Sequence, residues 1–389
     1  MRISLALLAL ATTFVLSAAA HAEDSLDAML DPVRTKYTLP ALAAAVVKDG
    51  QIIASGAVGV RVFGTSIPVT IDDRFHLGSD TKAMTATLAG MLVDEGALRW
   101  DSTIGEVLGP VLPGLRPKFA AITLEQLLSH TSGIPTDNAD IGKLYFSPDA
   151  YEHPLTQWRL LMIEKWGAAH DPSFPASGKF QYANLGYITA GAMIEQAAGK
   201  PWERLIFERI FEPLGLKTAG LGAQATFGLY DAPVGHRVDG NGKMTAFPWG
   251  EPADLPAALG PAGLAHMSVK DFATWAGWNA GEGKRGPALV KPETLKRIHT
   301  QEVTMDIKDP KPGTPKSGGY AFGWGLVKYD WTEKSVLTHN GSNGMNFASV
   351  LVDVDHDLAI AITINITGPH ADPASLELMK ALYEKYVKG

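Results

Sequence analysis

The chain has 389 residues, with 34 Lys and Arg against 41 Asp and Glu, and it contains no cysteine. A formal charge of −7 disfavours nucleic acid or an anionic membrane surface as partner. Absence of cysteine excludes a disulfide framework, a thiol nucleophile and a lipoprotein attachment site, and a chain this long can build its own core as two domains or one domain with an insertion.

Met1 and Arg2 precede an apolar run from Ile3 to about Ala19, and Ala20-His21-Ala22 follows just before Glu23-Asp24. A positive start, a short apolar core and an Ala-x-Ala site predict a secretory signal peptide over residues 1–22, cleaved near Ala22. The expected location is the periplasm or the medium, with no stable membrane anchor. Loss of Arg2 leaves 33 Lys and Arg and a formal charge of −8, which suits a small-molecule or peptide substrate better than a polyanion.

Ala41 to Val47 reads as a buried strand, Lys48-Asp49-Gly50 as a tight turn, and Gln51 to Val62 as the returning strand. Arg74 to Gly78 then leads into a helix from Ser79 to Glu95, stopped near Gly96. From about Asp101 to Trp278 helical segments alternate with Gly- and Pro-containing loops: Leu124 to Leu128, Tyr187 to Ala198, Trp202 to Ile210 and Val269 to Trp278. Strands return at Tyr320 to Tyr329, Val336 to His339, Asn346 to Val352 and Leu358 to Asn365, and an amphipathic helix, Ser375 to Val387, follows them. The first hairpin needs partners and the late strands can supply them, so the two ends are expected to share one sheet. The expected division is an α/β sandwich from residues 23–100 and 290–389, with a helical domain, residues 101–289, inserted between them.

Three short motifs carry chemistry. In Ser79-Asp80-Thr81-Lys82, Lys82 lies one helical turn beyond Ser79, so the two side chains should touch. A serine hydroxyl needs a base to take its proton, and a lysine made neutral by burial can serve. In Tyr182-Ala183-Asn184 a phenol and an amide two residues apart point into one cleft, as a proton shuttle and as a donor and acceptor for substrate. In His339-Asn340-Gly341-Ser342 the glycine lets a substrate lie against a strand end, and the following N–H completes an oxyanion hole with that of Ser79.

The eleven histidines are scattered, with no His-Glu-x-x-His, so neither a metal nor any other cofactor is expected. Asp353-Val354-Asp355-His356-Asp357 lacks the glycine and distal glutamate of a calcium loop and reads as a solvated hairpin turn. No Gly-x-Ser-x-Gly occurs, which removes an α/β-hydrolase reading.

Taken together and in this order, the three motifs resemble those of the serine β-lactamase and penicillin-binding superfamily, in its branch of class C β-lactamases, D,D-peptidases and family VIII esterases. Leu127-Leu128-Ser129-His130-Thr131-Ser132-Gly133-Ile134-Pro135 is similar to that branch's Leu-Leu-x-His-Thr-Ser-Gly-Leu-Pro segment, and Phe211-Glu212-Pro213-Leu214-Gly215 to its Phe-x-Pro-Leu-Gly turn. Gly263-Leu264 and Gly323-Trp324-Gly325 extend the likeness. The resemblance implies an antiparallel sheet flanked by helices, an inserted all-α domain, and an active site in the cleft between them. It further implies acyl transfer with Ser79, Lys82 and Tyr182 as catalytic residues and Asn184, His339, Gly341 and Ser342 binding substrate or oxyanion. The segment around His130 is structural in that branch. One departure is informative: His339 stands where many β-lactamases and peptidases of the superfamily carry a lysine that binds a substrate carboxylate. Histidine is mostly neutral at pH 7. The sequence therefore points to an esterase, with a D,D-carboxypeptidase or β-lactamase as the alternative and a non-turnover penicillin-binding protein behind it. Arg237 is the candidate for a carboxylate-binding cation elsewhere.

Overall fold

The computed structural model describes residues 23–148, 152–174, 178–250, 253–306, 314–315 and 317–388. The expected signal peptide, residues 1–22, lies outside the described residues.

A nine-stranded mixed sheet organises the chain. Its order from edge to edge is Asp24–Ser25, Gln51–Gly59, Ala41–Lys48, Leu358–Ile364, Phe347–Asp353, Val336–Ser342, Gly325–Val327, Ser317–Tyr320 and Val303–Asp306. The two ends of the chain meet where Leu358–Ile364 pairs antiparallel with Ala41–Lys48, placing Ala361 opposite Ala45. The Asp49-Gly50 turn has positive φ at both residues, the geometry that matches the twist of a two-residue hairpin.

Ala41–Lys48 is apolar at nearly every position because both its faces are covered. Ala41, Ala43, Ala45 and Val47 pack toward Phe272, Trp275 and Ala276 of the helix Val269–Ala280. Leu42, Ala44 and Val46 face the opposite way, toward Leu30 of helix Asp27–Lys36 and Leu378 and Leu382 of helix Ala371–Tyr383. Period-two alternation thus divides one strand between two cores.

Helix Thr81–Asp94 is buried at every residue from Thr81 to Leu92, because helices Asn184–Ala198, Gly260–Gly263 and Pro292–His299 surround it. Such a helix carries no polar stripe. Helices Ile104–Leu108 and Leu124–Leu128 each begin with a reciprocal capping box, Thr103 with Glu106 and Thr123 with Gln126.

Several details differ from the sequence expectation. Within residues 101–289, expected to be helical, there are also strands Gly220–Leu221, Gly235–Val238, Met244–Phe247 and Ala265–Ser268. The expected strand Tyr320 to Tyr329 is two strands, because Ala321 N–H turns back to the Trp324 carbonyl at 2.8 Å. Helix Asn184–Ala198 starts one turn earlier than expected, so Asn184 belongs to its first turn. The last helix also starts earlier, at Ala371.

Candidate active site

Strand Arg74–His76 pairs with Ala265–Ser268 and leads the chain to Ser79 through a single tight turn, Gly78–Asp80. Thr81 Oγ1 donates to the Gly78 carbonyl at 2.7 Å and accepts from Ala265 N–H at 3.0 Å, which ties this turn to the neighbouring strand. Gly78 has φ +52°, and a Cβ there would lie 2.3 Å from the Ser342 nitrogen; a Cβ on Gly341 would lie 2.7 Å from the Ser79 nitrogen. Only glycine permits so close an approach at both positions. The end of strand Val336–Ser342 is therefore pressed against the start of the central helix, with the Ser79 and Ser342 amides side by side.

One turn along, Lys82 Nζ lies 3.0 Å from Ser79 Oγ, 2.7 Å from Asn184 Oδ1 and 2.6 Å from the Ala262 carbonyl. Its side chain is fully buried, and desolvation brings its pKa down from 10.5 to about 7, against the pull of Asp137 and Asp80. When Lys82 is neutral, its lone pair can face the Ser79 hydroxyl while its two N–H groups serve Asn184 and Ala262. Asn184 is held from behind, since its Nδ2 donates to Asp137 Oδ2 at 2.7 Å.

The Tyr182 ring sits 4.8 Å from Lys82 Nζ, which itself touches Ser79. Burial raises its pKa well above 10, so the phenol keeps its proton at neutral pH. His130 supports it. The imidazole packs on Tyr182 with ring centroids 4.2 Å apart, and its Nδ1 accepts from Ala183 N–H at 3.1 Å. Burial pushes the His130 pKa well below 6.5. Its remaining nitrogen faces no hydrogen-bond partner, so His130 holds the tyrosine turn in place and has no contact with Ser79 that a base would need.

His339 lies on the inward face of its strand. Its Nε2 is 3.1 Å from the Tyr320 hydroxyl and its Nδ1 is 3.5 Å from Asp80 Oδ1. Burial first, then the charge of Lys82, brings its pKa down to about 3, so it is neutral at physiological pH. Asp80 is buried beside it with no hydrogen-bond partner on either oxygen, and desolvation lifts its pKa well above the carboxylate range. Arg237 is exposed beyond the strand end, with Nε 3.3 Å from the Gly344 carbonyl and its guanidinium 5.1 Å over the Phe247 ring.

Ser79, Lys82, Tyr182 and Asn184 thus form one contact cluster, Gly341 and Ser342 border it, and His339 stands behind it. Sequence reading missed Asp80, Asp137 and the Ala262 carbonyl. Asp80 lies inside the Ser79 motif, but nothing local signals its burial, and Ala262 contributes only backbone. Among the described residues no group of three or more His, Asp or Glu could hold a metal, and no helix is long and apolar enough to cross a membrane.

An open sheet flanked by helices, with a serine–lysine pair at the head of a buried helix, is the architecture of the β-lactamase and transpeptidase class of serine hydrolases. The family model described as Beta-lactamase matches residues 26–384, and the chain belongs to that family. It is 28% identical over 358 residues to penicillin-binding protein 4 of Amycolatopsis lactamdurans, across 89% of this chain and 85% of that protein. In structure it resembles the octameric penicillin-binding protein homologue from Pyrococcus abyssi, with a TM-score of 0.72 at 22% identity, over 92% of this chain and 75% of that one. It also resembles a D-stereospecific amidohydrolase from Streptomyces sp., with a TM-score of 0.68 at 23% identity, over 92% and 97% of the two chains.

Proposed function

We propose that the chain is an exported serine hydrolase that cleaves carboxylic esters through an acyl-enzyme on Ser79. The observation that carries this reading is the buried Lys82, with a pKa of about 7 and its Nζ 3.0 Å from Ser79 Oγ. Ser79 Oγ attacks the carbonyl carbon as its proton passes to neutral Lys82. The Ser79 and Ser342 N–H groups hold the oxyanion. Tyr182, protonated in the resting enzyme, passes that proton to the departing alkoxide and is reprotonated from Lys82. Water then attacks the acyl-enzyme by the same route in reverse, releasing acid and restoring Ser79. Export rests on the expected signal peptide.

Ester specificity rests on His339. A neutral imidazole fixed between Tyr320 and Asp80 offers no permanent cation to the carboxylate of a β-lactam or a C-terminal D-amino acid. D,D-peptidase activity is the second reading. It is favoured by the similarity to penicillin-binding protein 4 and by Arg237, which has no acidic partner among the described residues and borders the turn after Ser342.

The test is parallel incubation with p-nitrophenyl acetate and butyrate, nitrocefin and a D-Ala-D-Ala peptide, with Ser79→Ala as blank. Fast ester cleavage that the variant lacks, with little nitrocefin or peptide turnover, is expected. Turnover of the peptide above the esters would select the second reading, and ester cleavage retained by Ser79→Ala would refute both.

A further inference from the structure

The Ser79 and Ser342 amides belong to segments far apart in the chain, and one carboxylate, Asp254, is hydrogen-bonded to a near neighbour of each, His76 and Asn343. Asp254, its side chain 9% exposed, lies in the segment leading into Ala257–Leu259, a region that the motifs do not touch. Toward the nucleophile it meets His76, whose Nε2 is 3.0 Å from Asp254 Oδ1 and 3.2 Å from Oδ2. The other ring nitrogen of His76, Nδ1, accepts from Gly78 N–H at 3.0 Å. That acceptor role places the ring proton on Nε2, where it is donated to Asp254. Toward the strand end, Asn343 Nδ2 donates to Asp254 Oδ1 at 3.0 Å. Asn343 Oδ1 in turn accepts from Met345 N–H at 3.2 Å, Asn346 N–H at 3.0 Å and Asn346 Nδ2 at 3.1 Å, which fixes the turn directly after Ser342. Leu255 N–H supplies a further donor to Asp254 at 2.7 Å.

We propose that Asp254 is a positioning residue for the oxyanion pocket, setting the orientation of the Ser79 amide through His76 and Gly78 and that of the Ser342 amide through Asn343. This rests on the acyl-transfer reading above. Every partner of Asp254 is a donor, so the site calls for a carboxylate. Burial works to raise the pKa of Asp254, but His76, Asn343 and Leu255 together hold it below the ordinary value. An amide at this position has one accepting oxygen and a donating NH₂. It must either set a donor against His76 or Asn343, or force His76 into the tautomer whose Nδ1–H collides with Gly78 N–H. The pocket has no slack for such a shift, since Gly78 and Gly341 are already at the limit of approach to Ser342 and Ser79.

The experiment compares the full-length wild type with Asp254→Asn and Asn343→Asp, using p-nitrophenyl butyrate as substrate, phenylboronic acid as inhibitor, and thermal unfolding as a control. The boronate forms a tetrahedral adduct with the serine hydroxyl and places an oxygen in the oxyanion pocket, so its affinity reads the pocket directly. Asn343→Asp keeps the three hydrogen bonds accepted at Oδ1 and replaces the donor to Asp254 by a second carboxylate oxygen that repels it, so it decides the matter alone if Asp254→Asn does not fold. For each folded variant kcat is expected to fall about 10- to 100-fold with KM within about threefold, and boronate inhibition to weaken by the same factor as kcat. A kcat within about threefold of wild type, or a kcat loss without a matching loss of boronate affinity, overturns the role of Asp254. A wild type with no Ser79-dependent turnover of any ester or amide and no boronate inhibition overturns the acyl-transfer reading instead.

Discussion

Lys82→Met separates the electrostatic cost of the site from its packing. In the folded protein Lys82 titrates at about 7 instead of 10.5. Unfolding therefore takes up one proton at any pH between these values, and stability rises with pH across the window. The penalty for burying the ammonium is present in full below pH 7 and is relieved as pH approaches 10.5. A depression of this size, from 10.5 to about 7, corresponds to about 5 kcal/mol over the window, with a maximum slope of about 1.4 kcal/mol per pH unit. Methionine has similar length and no charge. Its loss of hydrogen bonds to Ser79, Asn184 and Ala262 adds only an offset that does not vary with pH. Urea unfolding of wild type and variant at pH 7.5 and 9.5 should show the stability difference, wild type minus variant, shifting in favour of wild type by about 2.5 kcal/mol between the two pH values. Titration of groups that do not sense the Lys82 charge cancels in that comparison. A difference that stays constant within about 0.5 kcal/mol would mean that Lys82 titrates normally and is not a neutral base at physiological pH.

Three further outcomes follow from the same geometry. The kcat/KM for an ester should rise with pH through an apparent pKa of about 7 as Lys82 becomes neutral, and a profile flat from pH 5.5 to about 8.5 would exclude Lys82 as the base. In Gly341→Ala the new methyl would meet the Leu77 carbonyl at 1.8 Å and the Ser79 nitrogen at 2.7 Å, so kcat should fall by at least about 10²-fold; near-normal turnover would show that the oxyanion lies elsewhere. Arg159 is wholly buried, paired with Glu195 and Glu203 and bonded to the Ala258 carbonyl at 3.1 Å. Arg159→Ala should cost about 3–5 kcal/mol in urea unfolding by leaving the Glu195 carboxyl buried without its partner, and a cost below about 1 kcal/mol would contradict that account.

What could be read from the chain alone was what backbone periodicity enforces at short range. Ser79 and Lys82 meet because residues three apart share a helix face. The Asp49-Gly50 turn places Gln51 beside Lys48 whatever surrounds it, and runs such as Ala41–Lys48 announce a strand covered on both faces. Gly341 and Tyr182 were legible through a resemblance, since neither motif says by itself where it lies relative to Ser79. The properties that make the cluster reactive are not local. Lys82 gives up its proton near pH 7 instead of 10.5 because helices 102 and 180 residues away, with Asn184 and Ala262, exclude water from its ammonium. Asp80 is an ordinary acidic residue in the sequence and becomes a buried carboxyl with a raised pKa and no hydrogen-bond partner only because strand Val336–Ser342 closes over it with His339. Asp254 gains its place through His76, 178 positions earlier, and Asn343, 89 positions later. Periodicity determines which residues share a face, but the dielectric around a charge and the distance between two amides depend on which faces meet, and only the packed tertiary structure decides that.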